Sequence, residues 1–430
     1  MQNLKSGGRW AMPFLAVVVA VTGATFAGAS DLYDPKPTAK GPIGVLDRSR
    51  RDYDAIGYRS GNLLFLPTLL TSATFDDNIF ATRNNTVSDL VFHIVPTLNV
   101  TGDFGTTKLA AYVTADGKIS TQRSNLNAVS PGVGLGVQSE IQRDLVFQAR
   151  ADYIYRVEDP ADTNRQVGAG VIRELVRYHD FTANASLNKS FNQFFVSVGG
   201  AYQHLKYDDV RDTLGNVIPG SRRDEDLATW TLRAGYQASA DLKVFVEPSY
   251  NIRRYATSTA FDSDGWRLVG GLSSQLGRLI TGEVYAGYMQ QNYKANIGSV
   301  SGFTAGANLR WYPTDLLTLS LQADRTIQDG SVTLGPLQGS PAIVATVAAR
   351  ADYEVWRNLI LSARLSYQNY AYQRNITRRD NTYTAGLTAS YLFNRFLSGS
   401  LDYRYVTNES NTLNGSYNRN QFTVSLKSQF

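Results

Sequence analysis

The sequence has no cysteine and only three histidines, His93, His179 and His204, among its 430 residues. A chain without cysteine has neither a disulfide framework nor a thiolate metal site. Three histidines in unrelated segments offer little for a zinc site or for imidazole catalysis. We therefore expect no metal site and no cofactor.

Long apolar runs and a strong charge of one sign are also missing. Beyond the first 30 residues no stretch of about 20 apolar residues occurs, which excludes a bundle of membrane-spanning helices. The formal net charge is only +5, which gives no reason to expect nucleic acid as a partner. Aromatic residues are plentiful at 11%, and 43% hydrophobic residues exclude a disordered chain.

Residues 1–29 have the features of a secretory signal peptide. Lys5 and Arg9 form a basic start, residues 11–24 are nearly all apolar, and Ala27-Gly28-Ala29 supplies the small-residue cleavage pattern. The apolar stretch is short for a membrane anchor. We predict export, with a mature chain that begins near Ser30.

From Leu63 to the end, the sequence alternates apolar and polar residues with the period of a β-strand that has one apolar face and one polar face. In residues 228–239, for example, even positions are apolar or aromatic, and odd positions are polar or glycine. Each segment covers about 10 to 12 residues. About 18 segments follow one another, and they start near Leu64, Leu90, Lys108, Val129, Leu145, Phe181, Phe194, Leu227, Val244, Trp266, Ile280, Phe303, Leu317, Ile343, Leu359, Tyr383, Leu397 and Gln421.

The connections between these segments alternate between short turns and long polar loops. The short ones fall at residues 102–105, 142–144, 192–193, 240–241, 277–278, 313–315, 356–358 and 394–395, and long ones include 207–226, 328–341 and 408–420. This alternation is typical of an outer-membrane barrel with periplasmic turns and outward loops. We predict an all-β fold, a transmembrane up-and-down antiparallel β-barrel of about 18 strands over residues 63–430, with both termini in the periplasm.

A soluble β-sandwich is the alternative, and three features count against it. The segments are longer than the usual sandwich strand of about 5 or 6 residues. Aromatic residues gather at both ends of the segments, as in the two interfacial girdles of a membrane barrel. The last amphipathic segment ends on Phe430, which resembles the signal that the barrel assembly machinery recognises.

A barrel of 18 strands has a backbone diameter of roughly 35 Å, which side chains alone cannot fill, so transport is the default function. Strand parity assigns charged residues to the lumen face. The predicted lining is Arg150, Asp152, Arg233, Glu247, Arg253, Arg267, Glu283, Arg310, Asp324, Arg350, Asp352, Arg364, Asp402 and Arg404. Acids and arginines two apart on one strand either form ion pairs that stiffen the wall or leave a basic excess that favours anions.

We find no catalytic site. His204 falls on the lipid face, where the neighbouring segments offer no nucleophile, so a serine and histidine pair is not expected. The segments 262–265 and 76–78 have the composition of calcium loops but lack the downstream glutamate, and turn chemistry explains both. The protein is therefore predicted not to be an enzyme.

Several short motifs resemble the outer-membrane beta-barrel family called putative beta-barrel porin 2. They begin with the letters RRDYDAIG at residues 50–57 and FDDNIF at residues 75–80, and continue with RRY at 253–255, SDGW at 263–266, GEV at 282–284, and Trp311 with Pro313-Thr314. The resemblance spans nearly the whole mature chain. It implies export of exopolysaccharide or capsular polysaccharide, with a periplasmic export protein as partner, and it supplies no catalytic residues.

Three functions remain open at this point: a polysaccharide exit channel, a general diffusion porin for small anionic solutes, and a surface-binding protein anchored by a barrel. The expected location is the outer membrane of a Gram-negative bacterium, where lipid and lipopolysaccharide surround the barrel and the assembly machinery inserts it through the strand ending in Phe430. The polar segment 30–62 is either a flexible leader or a periplasmic docking tail. No loop is identified as an inward constriction.

Overall fold

The structure is a computed structural model that describes residues 42–167, 172, 174–257, 259–276, 279–294, 298–329, 340–373 and 377–430. The signal peptide, residues 30–41 of the segment before the barrel and the turn predicted at 277–278 lie outside the described residues.

Eighteen long antiparallel strands form one closed sheet, because the last strand pairs with the first. Each strand also pairs with its neighbours in the chain, which is the up-and-down order. The strands are β1 Leu63–Asp76, β2 Asp89–Asp103, β3 Thr107–Ser120, β4 Ala128–Gln142, β5 Leu145–Val157, β6 Arg177–Phe191, β7 Phe194–Tyr207, β8 Glu225–Gln237, β9 Leu242–Tyr255, β10 Ser263–Leu276, β11 Ile280–Tyr293, β12 Ser299–Thr314, β13 Leu317–Gln328, β14 Ala342–Trp356, β15 Leu359–Tyr372, β16 Arg379–Leu392, β17 Leu397–Ser410 and β18 Tyr417–Gln429. The predicted barrel is confirmed.

The strands are longer than the alternation predicts, at 12 to 16 residues. The extra residues lie at the long-loop ends: β6 begins at Arg177 rather than near Phe181, and β16 begins at Arg379 rather than near Tyr383. The backbone ladder continues there while both faces are polar. The alternation stops where the hydrocarbon of the membrane stops, but the strand does not.

The two faces of the wall differ in exposure as the alternation requires. Leu365, Leu387 and Leu401 point outward and are 60 to 63% exposed, whereas Glu247 and Asp352 on the inner face are 3% and 4% exposed. Neighbouring side chains on the concave inner surface cover one another. Among the described residues, no helix is long and apolar enough to cross a membrane.

Aromatic pairs surround the outer face near both of its edges. Trp230 stacks on Tyr250 with ring centroids 6.4 Å apart toward the long loops, and Phe396 stacks on Phe430 at 6.3 Å on the side of the short turns. Aromatic rings prefer the boundary between hydrocarbon and water. The outer face therefore carries the interfacial girdles of a membrane barrel, and Phe430 belongs to the periplasmic one.

The long loops after β1, β3, β5 and β7 pack together over one side of the extracellular mouth. One small hydrophobic cluster joins Ile79, Leu126 and Leu175 from three of these loops. A second contains Ile172, Val210 and Ile218. The loop between β5 and β6 also contains the helix α1, Pro160–Val167.

Candidate transport path

The lumen wall formed by β8 to β11 carries a closed ion-pair network. Arg233 donates to Glu247 on β9 at 2.5 Å and to Glu283 on β11 at 2.9 Å, and Arg267 on β10 donates to the other oxygen of Glu247 at 2.9 Å. The Arg233 guanidinium also lies 4.0 Å from the centre of the Phe245 ring. Every one of these charges is matched, so this arc adds stiffness and little free charge.

Two tyrosines cross a neighbouring strand inside the lumen to reach an aspartate. Tyr285 on β11 donates to Asp324 on β13 at 2.8 Å, and Gly306 is the residue of β12 that lies between them in register. A Cβ atom at Gly306 would come within 2.2 Å of the Tyr285 ring. Tyr112, Gly134 and Asp152 repeat this arrangement on β3, β4 and β5.

The wall from β12 to β17 contains a continuous cross-strand row of arginines, which we call the arginine row. Each member is the register partner of the next, in the order Arg310, Ser320, Arg350, Arg364, Gly386 and Arg404. The row then continues through Gln421 of β18 to Asp76 at the extracellular end of β1. Because the strands of a barrel are tilted, such a row climbs along the pore axis as it passes around the wall.

A second row of hydroxyls and acids runs beside the first, two residues nearer the periplasm. Its members are Thr318, Asp352, Ser362, Thr388 and Asp402. Ion pairs connect the two rows: Arg350 donates to Asp352 at 2.8 Å, and Arg364 donates to Asp402 at 2.9 Å. Neighbouring strands are about 4.8 Å apart, so the arginines follow one another at intervals of roughly 5 to 10 Å.

Arg404 is the exception in this row. The spacing of two residues predicts an ion pair with Asp402, and this prediction is wrong, because Asp402 binds Arg364 and Thr388 instead. Gly386 has no side chain between the two strands, so Arg364 reaches across it. In the described part of the chain Arg404 has no carboxylate within ion-pair distance. It is the least neutralised arginine of the predicted lining.

The other predicted lining residues also lie on the inner face. Arg150 and Asp152 pair at 2.6 Å as their spacing predicts. Arg253 lies at the extracellular end of β9, where it contacts Glu225 at 2.7 Å and Asp329. Seven of the eight predicted arginines therefore have an acidic partner.

The loop between β5 and β6 reaches across to β18 and β1 at the extracellular end of the barrel. Arg419 of β18 binds Asp159 of this loop at 2.9 Å and Asp76 of β1 at 2.7 Å. Burial opposes the charge of Asp159, but the nearby Arg419 guanidinium outweighs it and holds the pKa of Asp159 below its ordinary value of 3.8. This clamp closes off part of the extracellular mouth just above the arginine row.

Sequence reasoning missed this constriction, although the chain contains a signal for it. Asp159 accepts a hydrogen bond from the Ala161 backbone N–H at 2.8 Å, and Pro160 is the first residue of α1. An aspartate cap followed by proline marks a helix start. A helix in a loop of a barrel indicates that the loop has structure of its own.

Residues before the barrel occupy part of the periplasmic mouth. The Val45 N–H donates to the Thr318 hydroxyl at 2.9 Å, and Val45 is fully buried. Arg50 binds Glu354 of β14 at 2.7 Å, and Gln429 of β18 donates to the Tyr53 carbonyl at 3.0 Å. The segment thus spans the mouth from β14 to β18 before a short hairpin, Tyr58–Ser60 against the start of β1, leads into the barrel.

The sequence profile of the family putative beta-barrel porin 2 matches residues 51–430. The chain belongs to this family. It is a porin-like barrel of the Gram-negative outer membrane. No curated protein matches its sequence.

Several solved porins are similar to this chain at low sequence identity. A BenF-like porin from Pseudomonas fluorescens Pf-5 has 11% identity and a TM-score of 0.47, with 86% of this chain and 99% of that chain covered. OccAB3 of Acinetobacter baumannii has 11% identity and a TM-score of 0.46, with 86% and 100% covered. OccK1 of Pseudomonas aeruginosa has 10% identity and a TM-score of 0.44, with 85% and 99% covered.

The histidines of this porin do not form a site. His204 and Asp226 pair at 2.8 Å on the outer face near the extracellular rim, where Tyr202 donates to the same carboxylate at 2.5 Å. His93 pairs with Asp116 in the lumen at 2.8 Å. The residues described here contain no group of three or more metal-binding side chains.

Proposed function

We propose that this porin conducts small anionic solutes along the arginine row. The observation that carries the proposal is the register of the row, which places Arg310, Arg350, Arg364 and Arg404 on one continuous path along the wall. A solute that carries a carboxylate or phosphate passes from one guanidinium to the next. Rings or rows of arginine favour anions in water-filled pores.

The second row, of hydroxyls and acids, also supports the conduction of anions. Ser362 and Thr388 lie between the acids Asp352 and Asp402 and hold those carboxylates at 2.5 Å. The acids are therefore occupied, while the side chains of Arg350 and Arg364 are still 32% and 34% exposed. A site that binds an anion weakly and repeatedly allows it to leave again, which conduction requires.

The two mouths favour small solutes over a polymer. The Asp159 clamp narrows the extracellular side, and residues 42–57 narrow the periplasmic side. A polysaccharide, whose export the family resemblance implies, would need both segments to move for as long as the chain crosses. A small anion needs only the space between them.

The test is the reversal potential of the purified porin in a planar bilayer across a tenfold gradient of KCl. We expect chloride to be preferred over potassium in the native protein. The variant R350Q/R364Q/R404Q removes three positive charges from the row and should lose most of this preference. The control R143Q/R357Q/R395Q removes three arginines from the short turns and should keep it.

A preference for potassium in the native porin would contradict the proposal. So would a gene deletion that abolishes surface polysaccharide while uptake of small anions stays normal. That second result would favour the polysaccharide exit channel. The surface-binding alternative predicts neither a selective current nor a loss of polymer.

A further inference from the structure

The segment 42–57 brings one of its own carboxylates to the periplasmic end of the arginine row. Asp47 accepts a hydrogen bond from Arg310 at 3.0 Å. Arg310 is the first arginine of the row on that side. The position that a departing anion would occupy is therefore held by a carboxylate of the same chain.

The anchors of this segment differ from the Asp47 contact in burial. The side chains of Arg50 and Glu354 are 9% and 7% exposed, and their pair is closed to water. Those of Arg310 and Asp47 are 48% and 30% exposed. An exposed ion pair is weak and exchanges easily, whereas a buried pair is costly to break.

The exposed contact of Asp47 with Arg310 and the buried anchors beside it make Asp47 a tethered ligand of Arg310. Val45 and Arg50 hold the segment at β13 and β14, three residues to either side of Asp47 or fewer. Tethering gives the Asp47 carboxylate a high effective concentration at Arg310, in the millimolar range or above for a short link. A free anion at this site competes with it.

We propose that Asp47 is a specificity-determining residue that competes with permeating carboxylates for Arg310. This inference rests on the proposed function. Asp47 shortens the residence of an anion at the last arginine and favours its release. Without Asp47, polyvalent carboxylates remain at that position and block the pore.

The chain offers a matched control in Asp52. It lies on the same segment, is exposed, and makes no hydrogen bond or ion pair within the described residues. D47N and D52N remove the same charge from the same mouth. A difference between the two variants therefore arises from the contact of Asp47 with Arg310 and not from the change in charge at the periplasmic mouth.

The experiment measures block of the KCl current by citrate added to the side of the short turns. We expect D47N to lower the citrate concentration for half block about fivefold, because the competing carboxylate is gone. D52N should behave as the native porin. The double variant D47N/R310Q should lose the gain, since the site itself is then absent.

Equal citrate block in D47N and the native porin would overturn the inference, and so would an equal change in D52N. The native chain lacks cysteine, so V45C/T318C provides an independent check under oxidising conditions. Cross-linking is expected, and its absence would show that the segment does not lie in the mouth. A native current without anion preference has a different signature and overturns the proposed function together with this inference.

Discussion

The lumen has two walls that use arginine in different ways. On β8 to β11, Arg233 and Arg267 are enclosed with Glu247 and Glu283 in a network that leaves no charge unmatched. On β12 to β17, the arginines form a line, their acids lie to one side, and Arg404 has no carboxylate within ion-pair distance among the described residues. The number of arginines on a wall is thus a poor guide to its field. What matters is whether an acid lies within reach across the strands.

The largest effect should come from removing an arginine on the enclosed wall. R233M takes a shared guanidinium from the buried Glu247 and the partly buried Glu283 and should lower the free energy of unfolding by about 3 kcal/mol, because breaking a largely buried ion-pair network is costly. R404M removes a cation that has no carboxylate within ion-pair distance in the described part of the chain, and should change the free energy of unfolding by less than about 1 kcal/mol. Urea titration in lipid bilayers measures both. Equal losses would erase the distinction between the walls.

Two glycines of the lumen wall, Gly306 on β12 and Gly386 on β16, offer the second comparison. G306A places a methyl group 2.2 Å from the Tyr285 ring and should cost about 1 to 3 kcal/mol of unfolding free energy through overpacking. G386A meets its nearest atom, the Tyr403 carbonyl oxygen, at an ordinary 3.5 Å and should cost less than about 0.5 kcal/mol. Heat-modifiability on gels ranks the two variants, and a more stable G306A would contradict the crossing of Tyr285 over β12.

Neutralising one acid on each wall tests whether anion selectivity depends on the lost charge alone or also on its position in the lumen. D402N frees Arg364 within the arginine row and should raise the ratio of chloride to potassium permeability about twofold. E283Q removes the same charge from the enclosed wall and should change the ratio less, because Arg233 keeps Glu247. Reversal potentials measure both variants. A larger shift of the reversal potential in E283Q than in D402N would assign anion selectivity to the wall of β8 to β11 and contradict the role of the arginine row.

The smallest expected effect is that of lowering the pH on the conductance. The folded pKa of Asp159 is lowered, so its pair with Arg419 stabilises the clamp above the ordinary pKa and is lost only as the pH falls through the lowered value. Conductance at pH 5 should therefore equal that at pH 7. D159N should raise the conductance at both pH values. A higher conductance of the native porin at pH 5 than at pH 7 would show that the pair of Asp159 with Arg419 is already lost at pH 5.

Parity along each strand predicted the inner and outer faces, because a side chain alternates regardless of what the neighbouring strands do. It also predicted the ion pair of Arg350 with Asp352, whose members are two apart on one strand. It could not predict that Asp402 binds Arg364. That contact depends on the relative shift of β15, β16 and β17 and on the missing side chain of Gly386.

The inward segments escaped prediction for a similar reason. The contact of Asp159 with Arg419 joins residues 260 positions apart, and that of Val45 with Thr318 joins residues 273 positions apart. Neither loop has a periodic pattern that indicates where it goes. Only the local start of α1 is visible in the chain itself.

The contact between the Tyr53 carbonyl and Gln429 has a consequence for assembly. The first of these residues precedes β1 and the second ends β18, so the two meet only when the final strand has joined the first. This contact can therefore form only after the barrel has closed, although Tyr53 is synthesised early. Protease sensitivity of the chain around Tyr53 would report the lifetime of the unclosed sheet.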